Sequence, residues 1–409
     1  MGKKYPTLSL NERNRRWKRA RDLMKKTKLD CLLIFGKGRE HYDSYLANEY
    51  FDGIVVFPLI GEPVYLIWSA TRVLIRLEPS LKGETWWIKD LRVGYSGEGV
   101  VKALQERGMD QAKVGVVGLE SWGPGEDQGV VPFKLWADVL KALPRATFRE
   151  VTSVFAEMML VKSEEELNMI RRSAQIGELA CRTMMKVTKP GVSEAKIYSE
   201  VMSTIYLQGA VTTPEFLILK SGRVNVSWGS PIWVHRGGIP RTLKKGEIVH
   251  AETFPVYAGF ETQQQMAVAL KPVDPANEQC ADVARRSYLA GIKTLRPGIT
   301  FKTVCDAMYA PLLETGCWNL TPLIHTMMPL LYVSMMTYDT THLPGAGLLK
   351  SVKTVPIVGG DLIIREGMVM ELEPNACKGM NRVNIGGTVI VTKNGVEELN
   401  KLASKMRVV

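Results

Sequence analysis

Residues 246–270 read GEIVHAETFPVYAGFETQQQMAVAL, and this stretch decides the fold. It describes two strands joined at Tyr257-Ala258-Gly259. Side chains alternate between the faces of a strand, so His250 and Glu252 share one face of the first. Glu261, Gln263 and Gln265 share one face of the second. A second stretch, residues 367–374 (GMVMELEP), places Glu371 and Glu373 in the same manner. In both stretches a carboxylate stands six residues after the glycine, at Glu252 and at Glu373. These strands are expected to line one pocket.

The helices before them repeat as well. Pro190-Gly191-Val192-Ser193 opens a helix ending at Gly209, and Pro297-Gly298-Ile299-Thr300 opens another ending at Gly316. Each has a hydroxyl residue suited to capping the helix start and a glycine suited to its end. One glycine–carboxylate strand follows each helix. Two pseudo-symmetric halves are therefore expected, with Glu252 and Glu373 at matching places near a central axis. Residues 1–155 differ in character. They alternate helix (11–28, 98–107, 133–143) and strand (30–35, 54–57, 64–68, 114–117, 147–151), the pattern of a separate α/β domain. Ser163-Glu164-Glu165-Glu166 offers a capping box for the first helix of a second domain, 156–409.

Composition narrows the class. With 409 residues, 45% hydrophobic and 23% charged, the chain is an ordinary globular protein long enough for two domains. Its net charge of +11 includes a basic run over residues 3–28. Leu10, Trp17 and Leu23 recur there at roughly helical spacing, so the run reads as the solvated face of an amphipathic helix rather than a nucleic-acid-binding arm. The six cysteines, at 31, 181, 280, 305, 317 and 377, form no CxxC pair. That argues against a disulfide framework or thiolate metal site and suits a reducing cytoplasm. No apolar segment follows Met1 as in a signal peptide, and the longest apolar stretch, 327–336, is too short to span a bilayer. A cytoplasmic protein with no membrane or nucleic-acid partner is expected. Gly36-Lys37-Gly38 starts like a dinucleotide loop, but His41 stands where the third glycine belongs.

These residues resemble a known family. Leu160-Val161-Lys162-Ser163, residues 245–249 (KGEIV), Gly367 through Glu373-Pro374, and residues 389–392 (VIVT) followed by Asn394-Gly395 are similar to the "pita-bread" superfamily, peptidase family M24. Its members include methionine aminopeptidase, Xaa-Pro aminopeptidase and creatine amidinohydrolase. The resemblance covers nearly the whole chain. It implies a creatinase-like N-terminal α/β domain and a pseudo-symmetric pita-bread α+β domain. The family's peptidases hold two metal ions with Asp, Asp, His, Glu and Glu. By the resemblance these fall on Glu252, Gln263, His342, Glu373 and Gly386. Gln263 is neutral and Gly386 supplies no ligand, so a dinuclear site is not expected, while Glu252, His342 and Glu373 could still hold a single divalent ion.

Creatine amidinohydrolase shows the same fold working without metal, and Thr253-Phe254-Pro255 resembles its Cys-Phe-Pro. The resemblance places a general acid/base on His235, twelve residues before Glu247, and a substrate-binding glutamate on Glu373. A histidine suits proton transfer near neutrality, and two facing carboxylates, Glu252 and Glu373, would push one another's pKa apart. The plainer alternative for either carboxylate is neutralisation by a core arginine, Arg365 or Arg382. Gln263, Gln265, Phe254 and His342 read as substrate-binding, His325 as a core histidine, and His250 stays open. The expected function is metal-independent hydrolysis of a non-peptide C–N bond in a small polar metabolite, with no cofactor. Two alternatives stand beside it: a lyase on the same frame, and a non-catalytic module binding peptides or chromatin-type partners. In the creatinase branch a partner subunit overhangs the site. A homodimer is therefore expected, with the 36–45 loop, carrying Arg39, His41 and Tyr42, reaching a neighbour's pocket.

Overall fold

The computed structural model describes residues 5–36, 40–120, 129–213, 217–338, 343 and 354–409. Lys37, Gly38, Arg39 and His342 lie outside them. The chain divides into two compact units at Met159/Leu160. In the first, six strands form a mixed sheet in the order Asp90–Val93, Val64–Ile67, Ile54–Pro58, Cys31–Phe35, Lys113–Val117, Thr147–Glu150. Cys31–Phe35 is buried at every position, as a central strand covered on both faces must be. The basic N-terminal helix, Leu10–Thr27, buries Trp17, Ala20 and Met24 on one stripe, together with the Glu12–Arg16 ion pair at 2.8 Å. No described helix is long and apolar enough to cross a membrane.

The second unit shows the expected internal repeat. Its main sheet runs Ile324–Thr326, Val369–Leu372, Gly386–Thr392, Gln264–Ala269, Ile248–Thr253, Ile218–Gly222. Read from the middle outward the order is palindromic: each strand of one half has a counterpart in the other. Two helix pairs accompany the two halves, Glu164–Val187 with Glu194–Leu207, and Pro275–Thr294 with Phe301–Thr315. Their starts are set by side chains satisfying the free N–H groups of the first turn. Ser193 and Thr300 cap the second helix of each pair, and Ser163 and Glu166 form a reciprocal capping box at the first. Gly316, in the left-handed region at φ +68°, closes the last.

Strand alternation divides this sheet into two unlike faces. Val249, Ala251, Met266 and Val268 pack with Ile176, Ala180, Ile197 and Val201 of the first helix pair. In the other half Leu372 is fully buried and lies over Gly291 of the Pro275–Thr294 helix. The intervening positions, including Glu252, Gln265, Glu371 and Thr388, therefore face away from the helices. Leu372→Ala should lower stability by about 2–5 kcal/mol through transfer and cavity terms. Urea unfolding measures that loss, and an unchanged midpoint would contradict the packing described.

Candidate active site

On the face away from the helices, the register brings the nominated residues side by side. Gln265 pairs with Glu252 on one side and Gly386 on the other. Glu371 pairs with Thr388 and with His325. Glu252, Gln263, Gln265, His325, Glu371 and Glu373 are all buried.

Glu252 is held from three sides. The indole N–H of Trp228 donates to Oε2 at 2.7 Å, the Asn384 amide donates to Oε1 at 2.6 Å, and the Arg382 guanidinium stands 3.6 Å from Oε1. Arg382 is itself buried, donating to the Ser227 carbonyl at 3.0 Å and the Thr321 hydroxyl at 3.3 Å. Burial raises the Glu252 carboxyl above its usual range, and Arg382 and the two donors oppose that rise. The arginine neutralisation foreseen as the plainer alternative is thus the arrangement found, with Arg382.

Glu373 forms a second centre. Its Oε2 accepts from Gln265 Nε2 at 3.2 Å, and its Oε1 lies 3.5 Å from His325 Nε2. His325 Nδ1 sits 2.9 Å from the Thr326 carbonyl, which orients the ring. Reading His325 as core was therefore incomplete: it is buried, yet it faces the pocket carboxylate. Only antiparallel pairing of Ile324–Thr326 with Val369–Leu372 makes that visible. Gln263 Nε2 donates to Glu261 Oε1 at 2.8 Å, and Thr388 Oγ1 donates to Glu371 Oε2 at 2.7 Å. The second oxygen of Glu371 and the amide oxygen of Gln265 are buried without a hydrogen-bond partner among the described residues. Burial, with Glu373, Glu252 and Glu261 nearby, drives the Glu371 carboxyl well above its usual range, so it is held protonated. Burial, reinforced by Arg382, pushes His250 down to about 3 and keeps that ring neutral.

Other nominated residues lie differently. His235, on which the resemblance places the general acid/base, is exposed on the short Ile232–Arg236 helix, its Nε2 beside the Ser230 hydroxyl. Phe254 is buried next to the Ile248–Thr253 strand. His342 is outside the described residues. Trp228, Arg382 and Asn384 were not nominated for the site. They come from remote loops and a hairpin, and no local spacing links them to Glu252.

A family profile described as "Metallopeptidase family M24" matches residues 168–393, more than half of the chain. The protein belongs to that family. An Xaa-Pro dipeptidase of Pyrococcus horikoshii is 21% identical over 95% of this chain and 97% of its own length. The probable dipeptidase PepE of Mycobacterium tuberculosis is 24% identical over 67% of this chain and 66% of its own. Among solved structures, the prolidase of Pyrococcus horikoshii superposes with TM-score 0.71 at 19% identity, covering 95% of this chain and 98% of that one. The X-Pro aminopeptidase of Thermotoga maritima gives 0.73 at 15%, covering 96% and 99%. The two-domain pita-bread architecture is the fold of this M24 chain.

These findings correct two expectations. A metal-independent, creatinase-like hydrolase of a non-peptide C–N bond is overturned by membership of a metallopeptidase family and by relatives named as dipeptidases. The expectation of no cofactor, with at most a single ion on Glu252, His342 and Glu373, falls with it. The lost ligand positions, Gln263 and Gly386, bear on metal binding and do not name a substrate.

The described side chains nevertheless do not fit the pair of divalent ions that the family resemblance implies. Glu252 is already matched by a guanidinium, and Gln263 is neutral. At Gly386, with φ +137°, an added Cβ would fall 1.8 Å from the Leu372 carbonyl oxygen, so this backbone has no room for a carboxylate. Among the described residues no group of three or more His, Cys, Asp or Glu side chains is arranged to hold a metal ion.

Two measurements check this electrostatic layout. Between the ordinary carboxylate pKa of 4.5 and its raised native value, Glu371 keeps a proton that the unfolded chain has lost, so its contribution to stability falls as pH rises. Glu371→Gln should therefore gain stability relative to wild type as pH rises above 4.5, read from unfolding midpoints across a pH series. A constant difference would contradict the protonated state. Arg382→Met should cost about 3–5 kcal/mol by leaving a buried carboxylate unmatched. Adding Glu252→Gln should recover much of that loss, and additive effects in the double-mutant cycle would show that the two groups are not paired.

Proposed function

We propose that this protein is a peptidase-type hydrolase that cleaves the amide bond of a short peptide, with a dipeptide ending in proline as the first substrate to test. The observation that carries the reading is Glu373, a buried carboxylate set between the Gln265 amide and the His325 imidazole. Family membership and the dipeptidase names of its relatives support the reaction class.

The pocket offers what an amide substrate requires. Gln265 spends its N–H on Glu373, which leaves its amide oxygen to accept from a substrate N–H. Glu371, held protonated, is a hydrogen-bond donor for a carbonyl oxygen. Glu373 takes a proton from the attacking water and returns it to the leaving nitrogen as the C–N bond breaks. His325 Nε2, 3.5 Å from the other carboxylate oxygen, packs against Glu373 and limits where its carboxylate can point. The small peptide is the expected partner, and Trp228, which donates to Glu252, is itself exposed.

The test is hydrolysis of Xaa-Pro dipeptides by the full chain, with Pro-Xaa dipeptides as controls, in parallel with and without added divalent cations. Glu373→Gln should reduce kcat/KM by about 10²–10⁴-fold, the usual scale for a lost proton-transfer group. Wild-type turnover in that variant would overturn the assignment of Glu373. Dipeptide binding without cleavage under every condition would overturn the hydrolase and leave a peptide-binding pocket.

A further inference from the structure

Trp228 is 50% exposed, yet its indole N–H donates to the buried carboxylate of Glu252 at 2.7 Å. The short segment that carries it is pinned as well. The Asn225 backbone N–H donates to the Met380 carbonyl at 3.2 Å, and the Asn225 side-chain oxygen accepts from the Arg382 backbone N–H at 2.6 Å. The Ser227 carbonyl accepts from the Arg382 guanidinium at 3.0 Å. A large apolar ring left half in water gains when a ligand covers it. A ring already fixed at one edge loses little freedom in doing so. The surface beside it is balanced in charge, because Arg382 stands 3.6 Å from Glu252.

Hydrogen bonding in the pocket sets one part of a substrate near that ring, a step that rests on the reading above of a hydrolase for Xaa-Pro dipeptides. In such a dipeptide the scissile nitrogen belongs to proline and carries no hydrogen. The backbone N–H groups that remain are those of the terminal amine. The amide oxygen of Gln265, buried with no partner among the described residues, is an acceptor for that amine. Gln265 pairs in register with Glu252. Neighbouring strands lie about 4.8 Å apart, and successive residues of a peptide about 3.8 Å. The residue bearing the amine is therefore about one strand spacing from the side chain that holds Trp228, while the proline nitrogen lies toward Glu373.

We infer that Trp228 is a specificity-determining residue: its exposed ring receives the side chain of the residue before proline and selects apolar and aromatic side chains over small or charged ones. A contact remote from the reacting bond is made alike in ground state and transition state, so the preference falls on KM rather than kcat. The ring supplies the apolar face, and its N–H supplies the hydrogen bond to Glu252. Substitution separates the two. Phenylalanine keeps an aromatic face and loses the N–H, whereas glutamine keeps an N–H donor and loses the face.

The experiment compares kcat and KM of the full chain for Phe-Pro, Leu-Pro, Gly-Pro and Asp-Pro. Separately, it measures equilibrium binding of Phe-Pro and Gly-Pro to the full chain carrying Glu373→Gln, with and without Trp228→Gln. Phe-Pro should be favoured over Gly-Pro by about 10-fold or more in both measurements, the scale for filling an apolar subsite. Trp228→Gln should bring that ratio below about threefold with the loss in KM, and Trp228→Phe should keep most of it. Equal affinity for the two dipeptides, or a preference that Trp228→Gln leaves intact, would overturn the role of Trp228. Preferential binding of Phe-Pro without any hydrolysis would overturn the hydrolase and leave the role of Trp228 standing. The comparison of dipeptides on the chain with Trp228 in place decides the question even where Trp228→Gln fails to fold.

Discussion

Glu252 can be buried because Arg382 is buried with it. Two charges withdrawn from water carry a desolvation cost that close pairing and hydrogen bonding offset. The pair sits at 3.6 Å, Trp228 and Asn384 donate to Glu252, and Ser227 and Thr321 accept from Arg382, whose Nε has no partner among the described residues. That one match ties together the strand bearing Glu252, the hairpin bearing Arg382 and Asn384, and the segment around Trp228. It also sets the character of the pocket: a permanent cation stands beside the carboxylate at the first metal-ligand position that the resemblance assigns.

The remaining carboxylates are accommodated by other means. Glu373 is set between the His325 ring and the Gln265 amide. Glu371 gives up its charge and stays protonated beneath Thr388. The backbone takes part as well, because the close approach of Gly386 to the Leu372 carbonyl holds the Gly386–Thr392 strand against Val369–Leu372 where a larger residue would separate them. Pseudo-symmetric frame and pocket are therefore consequences of one another: the palindromic strand order brings the two glycine–carboxylate strands to opposite sides of a shared centre.

The fold is that of the M24 family, whereas Gln263, Gly386 and the Arg382–Glu252 pair depart from the ligand set that the resemblance implies. Such departures concern how charge is balanced in the pocket. They do not by themselves name the bond that is broken.

Local signals in the chain were enough for its elements and their pairing into halves. Ser163, Ser193 and Thr300 mark helix starts because a hydroxyl satisfies free N–H groups within the same turn. Period-two alternation placed Glu252, Gln265, Glu371 and Glu373 on strand faces, because side-chain direction in a strand is a local property. What contacts those carboxylates was decided only in three dimensions. Arg382 lies 130 positions from Glu252, and His325 reaches Glu373 only through antiparallel pairing of distant strands. His235, nominated by spacing, lies at an exposed position because its short helix presents it outward. Long-range contacts depend on how whole elements pack, and no short window of residues encodes that.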